Sequence, residues 1–214
     1  MNWSLNELET EAKKAIRGAG LSWGLSEEGA KAVRWFAAHG ADALPALQDI
    51  LERHDRHALA TKFDVDAAGR WQASRPICPI VLGSAICDFS NGLRSQPIFA
   101  GPVAQPGLLI AFVARAARVL KRALRLELGD HAVFLSASGD PVGGLPAIAG
   151  ADQATIRCEV TNSTLAQVRP ASTKGVSLDP ASMAHLATYG HRTYVPASER
   201  SRREGAGAGL IDND

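Results

Sequence analysis

Cysteine is scarce in this 214-residue chain, which has three: Cys78, Cys87 and Cys158. An odd number, widely spaced and without a C-x-x-C pair, excludes a disulfide framework and a zinc knuckle. All three lie in apolar or alternating surroundings, which predicts buried free thiols in a reducing, cytoplasmic setting. Charge of one sign is also lacking. Lys+Arg number 23 against 22 Asp+Glu, a net charge of +1, so the basic surface of a general nucleic-acid binder is absent and no nucleic-acid partner is expected. Long hydrophobic runs are missing too. The longest strongly apolar run, residues 107–114, falls far short of the roughly 20 residues that cross a bilayer. The first seven residues show neither a basic region nor an apolar run, so no signal peptide and no membrane partner are expected. There is no internal repeat and no low-complexity segment.

What is present is a change of pattern along the chain. Ser4-Leu5-Asn6-Glu7 reads as a capping box. Leu5, Leu8, Ala12, Ala15, Ile16 and Ala19 then follow at helical spacing, with Gly18 and Gly20 as stops. Ser26 is the expected cap of a second helix, with Glu27 and Glu28 in its first turn, Ala30, Val33, Phe36 and Ala37 as its apolar stripe, and Gly40 as its end. A third helix is expected over about 42–54. From Lys62 the helical period is lost, and residues 77–89 read as one or two strands with Pro79 at an edge or bulge. Residues 90–92 read as a turn and 98–99 as a short strand. Residues 106–122 are apolar nearly all round in their first half, which predicts a central buried helix. Leu124 to Leu128 alternates strictly, Gly129-Asp130 is a two-residue turn, and residues 131–137 form the returning strand. Residues 138–152 are a glycine- and proline-rich loop. Further strands are expected at 156–160, 165–168 and 176–178. Asp179-Pro180 opens a last helix that Gly190 closes. The expectation is an α+β protein of one domain: a helical layer over 1–57, a mainly antiparallel sheet with one central buried helix over 58–189, and a folded C-terminal segment over 190–214.

Several candidate chemistries are weak. His54 and His57 stand three apart, but no third ligand is near, so a solvated helix end is the better reading and no metal is expected. Cys87 shows neither an adjacent base nor an electropositive setting. Ser172-Thr173-Lys174-Gly175 lacks the spacing of a P-loop. The closing segment 190–214 is richer. Arg192 and Arg200 are guanidinium forks suited to carboxylate or phosphate. Thr193, Tyr194 and Ser198 are neutral donors. Gly205, Gly207 and Gly209 allow close backbone approach to a ligand, and Asp212 could hold a cation or amine. The bland alternative is a solubilising end.

The two ends carry specific motifs in the right order: Ser4-Leu5-Asn6-Glu7, Lys14 through Gly20, Trp23-Gly24-Leu25 and Arg34-Trp35 at the front, and Arg192 through Ser198 with Gly205 through Leu210 and Asp212-Asn213-Asp214 at the back. In these the chain resembles a bacterial family catalogued only as a domain of unknown function. The resemblance brings no established activity and leaves the cofactor unknown, but it implies that both ends are signature regions. The expected function is binding of a small anionic metabolite, with the question of catalysis open, in a cleft between the first helices and the C-terminal segment. Arg17, Trp23, Arg192, Thr193, Arg200, Gly205, Gly207, Gly209 and Asp212 would line it. Tyr194, Ser198, Glu7 and Glu28 are the acid–base candidates. The alternative is a non-catalytic accessory protein whose tail docks on a partner enzyme or closes a homodimer.

Overall fold

The computed structural model describes residues 2–143, 145, 152–162 and 175–194. A short strand β1 (Asn2–Ser4) leads into α1 (Leu5–Gly18), followed by α2 (Trp23–Ala38) and α3 (Leu44–Asp55). The capping box forms as expected: the Glu7 amide donates to Ser4 Oγ at 3.1 Å and the Ser4 amide to Glu7 Oε2 at 2.8 Å. α2 starts earlier than expected. Its cap is Ser22, whose Oγ accepts from the Leu25 amide at 3.3 Å. Ser26 is fully buried and donates back to the Ser22 carbonyl at 2.8 Å. Glu27 and Glu28 therefore lie in the second turn, beyond the amides they were expected to serve. α1 and α2 pack as a pair, their apolar stripes meeting at Ile16 and Gly29.

Two short strands follow, β2 (Asp64–Val65) and β3 (Arg70–Gln72), joined by a turn in which Asp66 Oδ1 accepts from the Ala68 and Arg70 amides. The largest departure from expectation is residues 77–89. Cys78 is extended, but Pro79 is the first residue of a helix, α4 (Pro79–Asp88). A short apolar run has no period that separates a strand from a buried helix. Here the tertiary surroundings decide: Pro79, Ile80, Leu82, Gly83 and Ile86 are buried, and Gly83 lies so close to the Phe112 ring that a Cβ would overlap it. Residues 90–92, expected as a turn, lie in a 3-10 turn over Ser90–Arg94.

Strand β4 (Ile98–Ala104) runs longer than expected. A 3-10 turn at Pro106–Leu108 then leads into α5 (Leu109–Leu120). Nine of its twelve residues are buried, as a central helix requires. β5 (Leu124–Leu128) and β6 (His131–Leu135) form the expected hairpin, with Leu128 opposite His131. β7 (Pro141–Val142) and β8 (Gln153–Val160) follow. β9 (Gly175–Ser177) pairs with β1, outside the large sheet. The expected strand at 165–168 lies outside the described residues.

The large sheet has the order β2-β3-β4-β8-β5-β6-β7, antiparallel throughout except for the parallel β3/β4 pair. Its inner face is apolar. Ile98, Cys158, Leu126 and Val133 stand in register across four strands, all buried. α5 packs against β5 and β6, and α4 packs beside α5. α2 rests on α4 and α5 in turn, so the architecture is α+β with a buried helical layer between the sheet and the first helices. α6 (Pro180–Gly190) starts at the Asp179 cap, where Oδ2 accepts from the Ser182 amide at 3.0 Å. It crosses α1 where Gly18 has no side chain: a Cβ there would overlap the Tyr189 carbonyl. A 3-10 turn over His191–Thr193 follows.

Candidate functional site

Among the described residues, those expected to form the cleft lie at more than one place, although the turn at His191–Thr193 does pack against α1. Glu7 is bound up in the α1 capping box, and the Ser4 amide and hydroxyl hold its carboxyl below the usual range. Arg17 lies ten residues on, roughly 15 Å along the same helix. Its Nη1 donates to the Leu21 carbonyl at 2.8 Å, and its guanidinium sits 5.2 Å from the Trp23 ring centre. It thereby ties the end of α1 to the connector at Leu21 and to the exposed first residue of α2. Arg192 grips the chain's own Asp55 with two parallel bonds, Nη1 to Oδ1 at 2.7 Å and Nη2 to Oδ2 at 2.9 Å. Its guanidinium also lies 4.2 Å over the Tyr189 ring. The Arg192 fork holds the Asp55 carboxyl low, and burial pushes the Tyr189 phenol up. Thr193 Oγ1 donates to the Gly190 carbonyl at 2.8 Å, and Tyr194 is exposed with its ring edge-on to His191. α6 therefore brings Arg192 to the end of α3 and the following turn, with Thr193, against α1, while Arg17 and Trp23 lie together and Glu7 and Glu28 lie elsewhere. Ser198, Arg200, Gly205, Gly207, Gly209 and Asp212 lie outside the described residues.

Glu28 opens a charged concavity, a groove of about 500 Å³ between α2 and α5. Helical spacing puts Glu28, Lys31, Ala32 and Trp35 on one face of α2, and Phe112, Arg115 and Arg118 on the facing side of α5. All seven line the groove. Glu28 Oε1 accepts from Lys31 Nζ at 3.0 Å, and its other oxygen meets Arg115. Arg34, on the rim, pairs with Glu9 at 3.1 Å and with Asn6. Among the described residues Arg118 has no carboxylate partner. Four cations thus face two carboxylates over an apolar floor of Ala32, Ala38, Ala111 and Phe112. The Trp35 ring forms one wall, held by the His39 imidazole at 4.0 Å between ring centres. The His39 ring is fixed in turn by a 2.7 Å bond from Nδ1 to the Trp35 carbonyl.

Residues 3–78 match a family model described as a protein of unknown function (DUF3726). The match covers this front segment, about a third of the chain, and is what the chain shares with that family. The DUF3726 segment contains the front motifs, Glu7, Arg17, Trp23 and the α2 wall of the groove, while Arg115, Arg118 and the C-terminal motifs lie outside the matched residues. No curated protein and no solved structure matches the chain.

Lys31, Arg115 and Arg118 were not singled out as ligand groups from the sequence. Arg115 and Arg118 both lie toward the C-terminal end of α5, where a helix dipole also favours cations, so their charge alone does not mark them as ligand groups. The available signal was their spacing of three, which puts both on one helical face. The other candidate chemistries are quiet. His54 Nε2 lies 3.3 Å from Cys78 Sγ, and burial pulls its imidazole below the ordinary value. Burial pushes the Cys78 thiol up to about 11 and those of Cys87 and Cys158 to about 12, so none is a thiolate near neutrality. Among the described residues no cluster of three His, Cys, Asp or Glu could hold a metal, and no helix is long and apolar enough to cross a membrane.

Proposed function

We propose that the protein binds a small anionic metabolite with an apolar body, and that the α2/α5 groove receives it. The observation that carries this reading is the unbalanced charge of the groove: Lys31, Arg34, Arg115 and Arg118 against Glu28 and Glu9, above an alanine-lined floor with a tryptophan wall. Its size is within the roughly 300–1,000 Å³ of ordinary ligand sites. Arg118, free of a carboxylate among the described residues, is the primary anion contact, since no internal ion pair must break to engage it. Arg115 is the secondary one, with Glu28 tuning it by competition. Trp35 contacts the ligand's apolar part.

The test is a thermal-shift screen of small carboxylates and phosphate monoesters, followed by calorimetry on the best acid. A specific ligand at a hundred times its Kd raises stability by about 2.7 kcal/mol. Arg118→Gln is expected to weaken that ligand about tenfold or more, the worth of one charge-assisted bond. Trp35→Leu should weaken it less. Unchanged affinity in a folded Arg118→Gln protein sinks the assignment of the groove.

A further inference from the structure

The outer face of the large sheet holds a second concavity, of about 510 Å³, formed by β3, β4, β8 and β5 rather than by helices. The solvent side of an antiparallel sheet is ordinarily polar. Here Phe99, on an interior strand, is 40% exposed. Register places it in a row: Arg70 on β3, Phe99 on β4, Arg157 on β8 and Glu127 on β5. The Arg157 guanidinium lies 5.4 Å from the Phe99 ring centre and is held from the other side by Glu159 at 2.7 Å. Gly101 and Gly129 leave the floor beside this row free of side chains.

We propose that this face binds a planar aromatic monoanion. The flat ring of such a ligand stacks on the exposed Phe99 face, and its edge charge meets Arg70. Charge counting selects one negative charge. Arg125 and Arg157 are already matched by Glu127 and Glu159, at 2.7 Å and 3.4 Å for the two Arg125 pairs. Of the three arginines on this face, Arg70 is the one with no carboxylate partner among the described residues. A dianion would face two glutamates with one uncommitted cation. Gln72 and Thr155, also in the lining, supply neutral hydrogen-bonding groups. The site is independent of the α2/α5 groove and does not rest on the function proposed for it.

The experiment is amide NMR shift mapping of the full chain titrated with naphthoate, beside its saturated decalin analogue. Shifts centred on Phe99, Thr155 and Arg157 are expected, with naphthoate bound about fivefold or more tighter than the saturated acid. Arg70→Gln and Phe99→Leu should each weaken naphthoate at this face by about fivefold or more. Arg70 is exposed, so its variant is expected to fold even if the Phe99 change disturbs the sheet. Equal affinity for the two acids, shifts confined to the α2/α5 groove, or unchanged binding by Arg70→Gln would each overturn the proposal. So would a short single-stranded oligonucleotide that binds this face more tightly than naphthoate, since that assigns the face to a polymer.

Discussion

Gly18 and Gly24 look alike in the sequence, both glycines within helices, yet their surroundings give them opposite roles. At Gly18 the α6 backbone comes so close that a Cβ would overlap the Tyr189 carbonyl, and backbone cannot swing aside as a side-chain tip can. Gly18→Ala is therefore expected to destabilise by about 2 kcal/mol, the usual cost of overpacking, despite the better helix propensity of alanine. Gly24 has nothing within 4 Å of a modest added Cβ. Gly24→Ala should be neutral or stabilising by up to about 1 kcal/mol. Urea unfolding of the two variants checks the pair, and a stable Gly18→Ala would refute the close crossing of α1 and α6. From the sequence Gly18 read with Gly20 as a helix stop; Gly18 is the last helical residue, and the stop is the Ala19 cap with Gly20 at positive φ. The crossing role of Gly18 needs a partner more than 160 residues away and carries no local signal.

At the scale of the element, the start of α2 turns on which serine serves as cap. Ser22 and Ser26 each precede plausible helix, and the acidic pair Glu27-Glu28 favoured the second. The structure chooses Ser22, which lets Trp23 and Gly24 join the helix and leaves Ser26 bonding the carbonyl one turn back. Ser22→Ala is expected to cost about 1 kcal/mol as a lost cap. Ser26→Ala should cost less than about 0.5 kcal/mol, because the Ser22 carbonyl keeps its bond from the Ser26 amide at 2.9 Å and alanine fits the buried space. Chemical denaturation ranks the two, and the reverse order would restore the cap to Ser26. Elements with strong ends were legible: the capping box of α1, Asp179-Pro180 at α6, and the alternating hairpin of β5 and β6. The α4 helix was not, because its ten residues are mostly apolar with no clear period and only contact with Phe112 and its neighbours gives them a face.

For the whole molecule, pH response depends on groups that the fold buries or pairs. Packing of α3 against Cys78 half-buries His54 and lowers its pKa below the ordinary 6.5. In the window between that lowered value and about 6.5, the unfolded chain binds a proton that the folded chain refuses. Stability therefore rises with pH through the window and is lost as pH falls through it. Asp55 acts separately and lower. The Arg192 fork depresses its pKa from 3.8, so its contribution is present above that value and lost as pH falls beneath it. His54→Gln carries no titrating proton, and its urea midpoint should fall less between pH 7.5 and pH 5 than the wild type's, in the direction linkage requires. Equal falls would show that His54 is not the titrating group.

The sequence alone determined the helical front, the hairpin, the buried central helix and the α+β class, because caps, periodicity and alternation are local signals set by backbone geometry. It also marked Glu28 and the Arg34-Trp35 pair. Only the tertiary structure decided what those residues face. The α2/α5 groove joins side chains about eighty residues apart, and the row of Arg70, Phe99 and Arg157 exists only through strand register. Likewise Arg192, a ligand fork in sequence, meets Asp55 because α6 returns to the end of α3. Charge and shape at a site are sums over residues that only chain folding brings together.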